Sequence, residues 1–158
     1  KAITLDNTAG FWTFLPLTSV LPSPVMVAGT YNGIRFYNYQ NGQFSKKHVD
    51  ANFESARFVT VSNNNVWVSH PYKGIYRVQL QNNGEPIVKA YTGKQGVGLS
   101  SNGNYIFKIK NRVVVTTENG IYEYNEQSDQ FEPSAYFKSL FGQTIVRYLK
   151  EDPAGNIW

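Results

Sequence analysis

The phrase Gly74-Ile75-Tyr76-Arg77-Val78 recurs as Gly33-Ile34-Arg35-Phe36-Tyr37 and as Gly120-Ile121-Tyr122-Glu123-Tyr124. A short apolar run, at 25–29, 66–69 and 113–116, and a small polar loop precede each Gly-Ile step, and a Tyr-bearing run follows it. The steps begin at 33, 74 and 120, giving periods of 41 and then 46 residues. Repeats of that size with only strand signals predict a β-propeller, one four-stranded antiparallel blade per repeat. The physical reason is burial: one such sheet has two apolar faces and hides neither alone, whereas stacked neighbours share them.

The turns between the runs support this division. Asn41-Gly42, the Ser62-Asn63-Asn64-Asn65 run and Asn82-Asn83-Gly84 are hairpin signals, because Asn and Gly accept the positive φ of tight turns. The first blade is expected over 11–50, with strands at 11–15, 25–29 and 34–39 and a fourth from Gln43; Pro16, Pro22 and Pro24 fall in its long first connection. The second spans 56–92, with strands at 56–61, 66–69, 75–80 and 86–91. The third spans 104–136, with strands at 105–110, 112–116 and 121–125 and a fourth near Phe131. A fourth blade begins within 144–158 with a strand at 145–149, and 2–5 reads as the outer strand of a preceding blade. The expectation is therefore one all-β domain, 1–158: a partial β-propeller with parts of flanking blades, and with no convincing helix. Trp67 and Trp158 read as inter-blade wedges, with Met26 and Val113 or Val114 in the same place.

Composition agrees and narrows the function classes. Aromatic residues make up 15% of the 158, with 13 Gly, a bias that suits pleated surfaces and tight turns. The net charge of +4 is scattered rather than gathered on one face, so nucleic-acid binding is not expected. There is no cysteine, which excludes disulfides and thiolate chemistry. No run approaches the roughly 18 apolar residues of a membrane-spanning helix, so no membrane contact by these residues is expected.

Catalytic chemistry finds little to build on. His48 and His70 are the only histidines, too few for a zinc site without carboxylate help. Glu85, Glu126, Asp129 and Asp152 fall in turns and read as surface charge, and nothing pairs Glu54 with Glu118 as a glycosidase would require. The glycines of 93–103 lack the Gly-Lys-Ser/Thr ending of a phosphate loop and read as a flexible connection. No catalytic residue, metal or cofactor is therefore expected. What remains is a loop face. In a propeller the second-to-third-strand loops and the blade-to-blade connections, here 50–55 and 133–142, crowd one end. They would present Tyr31, His70, Tyr72 and Lys73, with Asn32, Glu118 and Asn119 beside them. Rings for stacking with hydrogen-bonding neighbours suit a carbohydrate. The expected role is non-catalytic binding of a ligand, an oligosaccharide among the options, or of a sister domain. The alternative is a glycosidase or lyase on the same scaffold. Open blade faces are also expected to pack against remaining blades or to self-associate.

Glu151-Asp152-Pro153-Ala154-Gly155-Asn156-Ile157-Trp158 and Asn65-Val66-Trp67-Val68-Ser69 with Gly74-Ile75-Tyr76 resemble the two-component-regulator propeller repeat. Val27-Ala28-Gly29-Thr30 with Gly33-Ile34 is a weaker copy, and the third repeat departs most, with Val in place of Trp. The resemblance implies the periplasmic sensor of a membrane-bound regulator of the Bacteroidetes type. Such propellers precede a triple-tyrosine module, a membrane helix and a histidine kinase or helix-turn-helix output, none of which lies in these residues.

Overall fold

A computed structural model describes residues 2–7, 10–17, 25–92, 100 and 103–158. It is all-β apart from one short helix, with three four-stranded antiparallel sheets, each formed from four strands consecutive in sequence. The first sheet comprises β1 (Phe11–Pro16), β2 (Val25–Thr30), β3 (Gly33–Gln40) and β4 (Gln43–Ala51). The second comprises β5 (Phe58–Ser62), β6 (Asn65–His70), β7 (Gly74–Leu80) and β8 (Pro86–Tyr91). The third comprises β9 (Tyr105–Ile109), β10 (Arg112–Thr117), β11 (Gly120–Asn125) and β12 (Gln130–Pro133). The expected connections at 18–24 and 93–99, with Pro22 and Pro24, lie outside the described residues.

Turn chemistry sets the register. Asn41 and Gly42, Asn63 and Asn64, and Lys110 and Asn111 each form a two-residue turn with φ between +48° and +78°. Both central residues at positive φ match the right-handed twist of the flanking strands. The third strand of every sheet opens on glycine at positive φ, at Gly33, Gly74 and Gly120. At two of these, space matters as well as angle. A Cβ on Gly33 would stand 2.1 Å from the Ala51 carbonyl oxygen, and one on Gly74 would stand 2.7 Å from that of Tyr91. Only glycine lets the fourth strand come that close.

Alternation along the strands then divides the side chains between faces. Val66, Val68, Tyr76 and Val78 of the second sheet pack against Val27, Ile34 and Phe36 of the first. Trp67, Ile75 and Tyr91, from the other face, pack against Ile106, Val113, Val115, Tyr122 and Phe131 of the third. Ile109 and Val114 continue the stack against Phe137 and Leu149. Ile34, Ile75 and Ile121 therefore hold equivalent positions, each turned toward the following layer. The second sheet is covered on both sides.

The pairing register corrects one equivalence. Val27 pairs with Phe36, Trp67 with Arg77 and Val114 with Glu123, so the residue in the place of Trp67 is Val27 rather than Met26. Trp67 is 1% exposed and its ring lies 4.5–5.7 Å from those of Tyr91, Tyr124 and Phe131. Trp158, expected to be a similar wedge, is 72% exposed; its indole N–H donates to Asp152.

Three further expectations are corrected. Residues 133–142 are not a plain connection: Ala135–Phe141 form a helix, α1, whose N-cap is Ser134, its hydroxyl accepting from Phe137 N at 3.1 Å. Seven residues with Phe137 and Phe141 as apolar anchors are too short to show a period, although the capping serine was visible. Residues 145–149 form no strand, and neither do 2–5, because ladder partners are missing among the described residues. A narrow hairpin closes later, where Lys150 and Trp158 exchange N–H···O bonds of 3.0 and 2.8 Å. Asp152 holds its turn, accepting from Ala154 N, Asn156 N, Asn156 Nδ2 and Trp158 Nε1. Hydrogen bonds, that from the Asn156 side chain foremost, lower its carboxyl pKa to about 2.

Between the second and third sheets lies a polar counterpart of the apolar core. Arg77 on β7 and Lys89 on β8 stand directly opposite each other. Asp129, in the β11–β12 turn at φ 52°, reaches across to both. It also accepts from Tyr91 OH at 2.5 Å and Tyr124 OH at 2.7 Å. The Arg77 guanidinium spreads over the rings of Trp67, Tyr91 and Tyr124 at 5.7–5.8 Å. Asp129 is thus no bare surface charge. Burial pushes its carboxyl pKa up, but hydrogen bonds from Lys89, Tyr124 and Tyr91 and the Arg77 charge together hold it well below the usual range. Burial first, then the bond to Asp129, pushes the phenols of Tyr91 and Tyr124 up.

Two predictions follow from the stack. Trp67→Ala should cost about 3–5 kcal/mol in denaturant unfolding, whereas Trp67→Phe should cost far less. Phenylalanine keeps a ring in the layer and removes an indole N–H that is buried without a partner among the described residues. For the polar cluster the sign follows from linkage. Asp129, lowered on folding, contributes stability that is present above its unfolded pKa of about 3.9 and lost as pH falls through the folded value. Tyr91 and Tyr124, raised on folding, contribute stability that is lost as pH rises past about 10. The urea midpoint of Asp129→Asn should lie below that of the parent at pH 7, and the gap should close toward pH 2.

Candidate functional site

The second-to-third-strand loops lie at one end of the sheets, and the same local device shapes each. Thr30 Oγ1 accepts from Asn32 N at 3.2 Å and donates to Gly33 O; Thr117 Oγ1 does the same for Asn119 N at 3.0 Å and Gly120 O. In the middle sheet the loop is one residue longer and an imidazole replaces the hydroxyl. His70 Nδ1 accepts from Tyr72 N at 3.1 Å. This bond leaves only Nε2 of His70 to face outward as a donor. The ring of Tyr72 stands edge-on to His70 at 5.9 Å and is 64% exposed. Lys73 is exposed beside it.

Residues 52–57, between the first two sheets, tie these loops together. Asn52 accepts from Arg35 Nη1 at 3.0 Å, and Ala56 N donates to Thr30 O at 2.9 Å. Phe53 stacks on Tyr76 at 4.8 Å. Tyr76 donates its hydroxyl to Glu54. That bond, opposed by burial and helped by the Glu54 backbone and by the Lys73 charge, lowers the pKa of the Glu54 carboxyl. Burial first, and then Glu54, raises that of the Tyr76 phenol. Ser55 Oγ accepts from Trp12 Nε1 at 3.0 Å. The Arg57 guanidinium lies 5.1 Å from the centroid of Trp12, and Tyr31 meets the same indole edge-on at 4.9 Å.

The four residues singled out in the sequence thus form two groups. His70, Tyr72 and Lys73 stand together near Glu54. Tyr31 belongs to a second group with Trp12 and Arg57, and no hydrogen bond or ring contact joins it to the first among the described residues. Residues 54–57 supply a side chain to each. Trp12, Glu54 and Arg57 were missed as a unit because 43 residues separate Trp12 from Ser55. The overlooked signal was Trp12 itself, a large ring in a strand whose exposure alternates.

The side chains at this end can stack on a ligand and donate hydrogen bonds to it. They offer exposed rings, two cations at Arg57 and Lys73, and an imidazole N–H, while the Glu54 carboxylate is engaged by Tyr76. Glu118, in the β10–β11 loop, accepts from Ser100 Oγ in a separate interaction. Among the described residues no three His, Asp or Glu side chains gather as metal ligands. No helix among them is long and apolar enough to cross a membrane. No protein-family model and no curated protein matches the chain.

Tyr72→Ala should shift the melting midpoint by no more than an exposed substitution does, within about 0.5 kcal/mol, because its ring is largely exposed and meets only the edge of His70 among the described rings. Tyr76→Phe should cost about 1.5 kcal/mol, the low end for a hydrogen bond to a charged group, because the Glu54 carboxylate is exposed. Thermal melts of the two variants check both.

Proposed function

We propose that the three sheets are consecutive blades of a β-propeller belonging to the periplasmic sensor of a two-component-type regulator. In this reading the end bearing Trp12, Tyr31, His70, Tyr72 and Lys73 binds an oligosaccharide without turning it over. One observation carries the reading: residues 54–57 bring two aromatic-and-cation groups to one end of the stacked sheets. Exposed rings offer apolar faces to pyranose C–H surfaces, and Arg57, Lys73 and His70 donate to hydroxyl or carboxylate oxygens. Pro71 and the Thr30 and His70 turn bonds restrain the loops, which lowers the ordering cost of binding. The repeat grammar supports the sensor context, with Asp152-Pro153-Ala154-Gly155-Asn156-Ile157-Trp158 as its fullest copy.

An oligosaccharide array probed with the chain, followed by calorimetry on the hits, tests the proposal. Tyr72→Ala with Lys73→Ala should weaken the binding of a hit at least tenfold while the melting temperature stays put. Binding that survives the double change removes this loop from the site. Release of shortened or unsaturated sugars would instead make the protein an enzyme, and an array without hits would leave the face to a sister domain.

A further inference from the structure

The second sheet junction is closed by opposite charges, and the third sheet inverts their sign. Lys47 on β4 places its ammonium 3.2 Å from where a Cβ on Gly84 would stand, so it lies beside the β7–β8 turn of the following sheet. Lys89 on β8, with Arg77 opposite, meets Asp129 in the β11–β12 turn of the sheet after that. A basic fourth strand thus faces the next sheet's outer turn twice. At the register position of the Arg77–Lys89 pair, the third sheet carries Glu123 opposite Glu132. Like charges directly opposite each other on a sheet repel, so the pair is costly without a counter-charge. Arg112 reaches Glu123 at 3.1 Å, and Ser134 donates to it as well. Glu132 receives only neutral donors, Asn125 and Ser128, among the described residues.

These carboxylates line an open groove of about 720 Å³, which Arg112, Glu126, Tyr124 and Tyr136 also border. With three glutamates and one arginine, its lining carries a net charge of −2 on a chain whose total is +4. The hairpin at 150–158 and the residues leading into it cover the β9–β10 half of this face, through Val146, Leu149 and Ile157. On the β11–β12 half, Phe137 and Phe141 of α1 share a cluster with Ile121 and Tyr136 borders the groove, which no described strand covers.

We infer that the groove at Glu123 and Glu132 is the docking site for a further β-hairpin that carries a lysine or arginine in its turn, where β11–β12 carries Asp129. The outer turns before the fourth strands of a second copy would not supply this charge. The residue immediately before the fourth strand is Gly42, Glu85 or Asp129 in its three sheets, and none is basic. The inference rests on the sheet stacking, and on the propeller reading only in expecting another layer. The groove lies at the turn end of the sheets, opposite the Tyr72 loops, so its failure and that of the glycan site are separable.

The probe is a cyclised hairpin with the sequence of residues 120–133 and Asp129→Lys, titrated into the chain at about 150 mM salt by calorimetry and amide-shift mapping. Its control keeps Asp129. The lysine hairpin should bind at least tenfold tighter than the control, with shifts centred on β11, β12 and Tyr136. Glu132→Gln should weaken it, and Glu132→Lys should reverse the preference toward the Asp129 hairpin. Absence of binding, equal binding of the two hairpins, a preference unmoved by Glu132→Lys, or equal binding of a scrambled linear lysine peptide would each overturn the inference. Self-association in sedimentation that Glu132→Lys abolishes would assign the groove to a second copy and overturn it too.

Discussion

Everything in this molecule depends on faces that one sheet cannot bury alone. Along β6, Val66 and Val68 point one way while Trp67 and Ser69 point the other, and all four are buried. A strand of that kind is stable only with apolar surface on both sides. The first and third sheets supply it. The positive-φ glycines serve the same end: by letting the fourth strand approach closely at Gly33 and Gly74, they keep the first two sheets compact enough to stack.

Stacking also assembles the candidate site. Layering brings residues 52–57 across the first junction, and that connection holds Ser55 against Trp12 and Glu54 against Tyr76. The same layering forms the Arg77–Lys89–Asp129 cluster at the second junction, where two opposed cations are tolerable because the next sheet delivers a carboxylate. The second junction is therefore held by opposite charges as well as by apolar contact.

The repeat was legible because it is local. Gly-Ile steps and Asn-rich turns depend on neighbours within a few residues, and the strand at 86–91 was read with the bounds it has. What stayed hidden is long-range or short-lived. Asp129 meets Lys89 and Arg77 from 40 and 52 residues away, so in the sequence it was only a turn carboxylate. Helix α1 is two turns long, less than a hydrophobic period needs to show. At the candidate site the exposure of Tyr72 was readable from its loop. The pairing of Tyr31 with Trp12 was not, since it requires the register of β1 against β2, which shifts between Phe11 and Thr13.

The central claim is that the second sheet is the doubly covered heart of the stack, and native-state hydrogen exchange tests it most directly. Amides of β6 and β7 should exchange slowest, by an opening whose free energy equals that of global unfolding, and those of residues 2–7 and 145–149 should exchange fastest. Slower exchange in β11 and β12 than in β6 and β7 would contradict the account, because it would place the protected core outside the sheet that both neighbours cover.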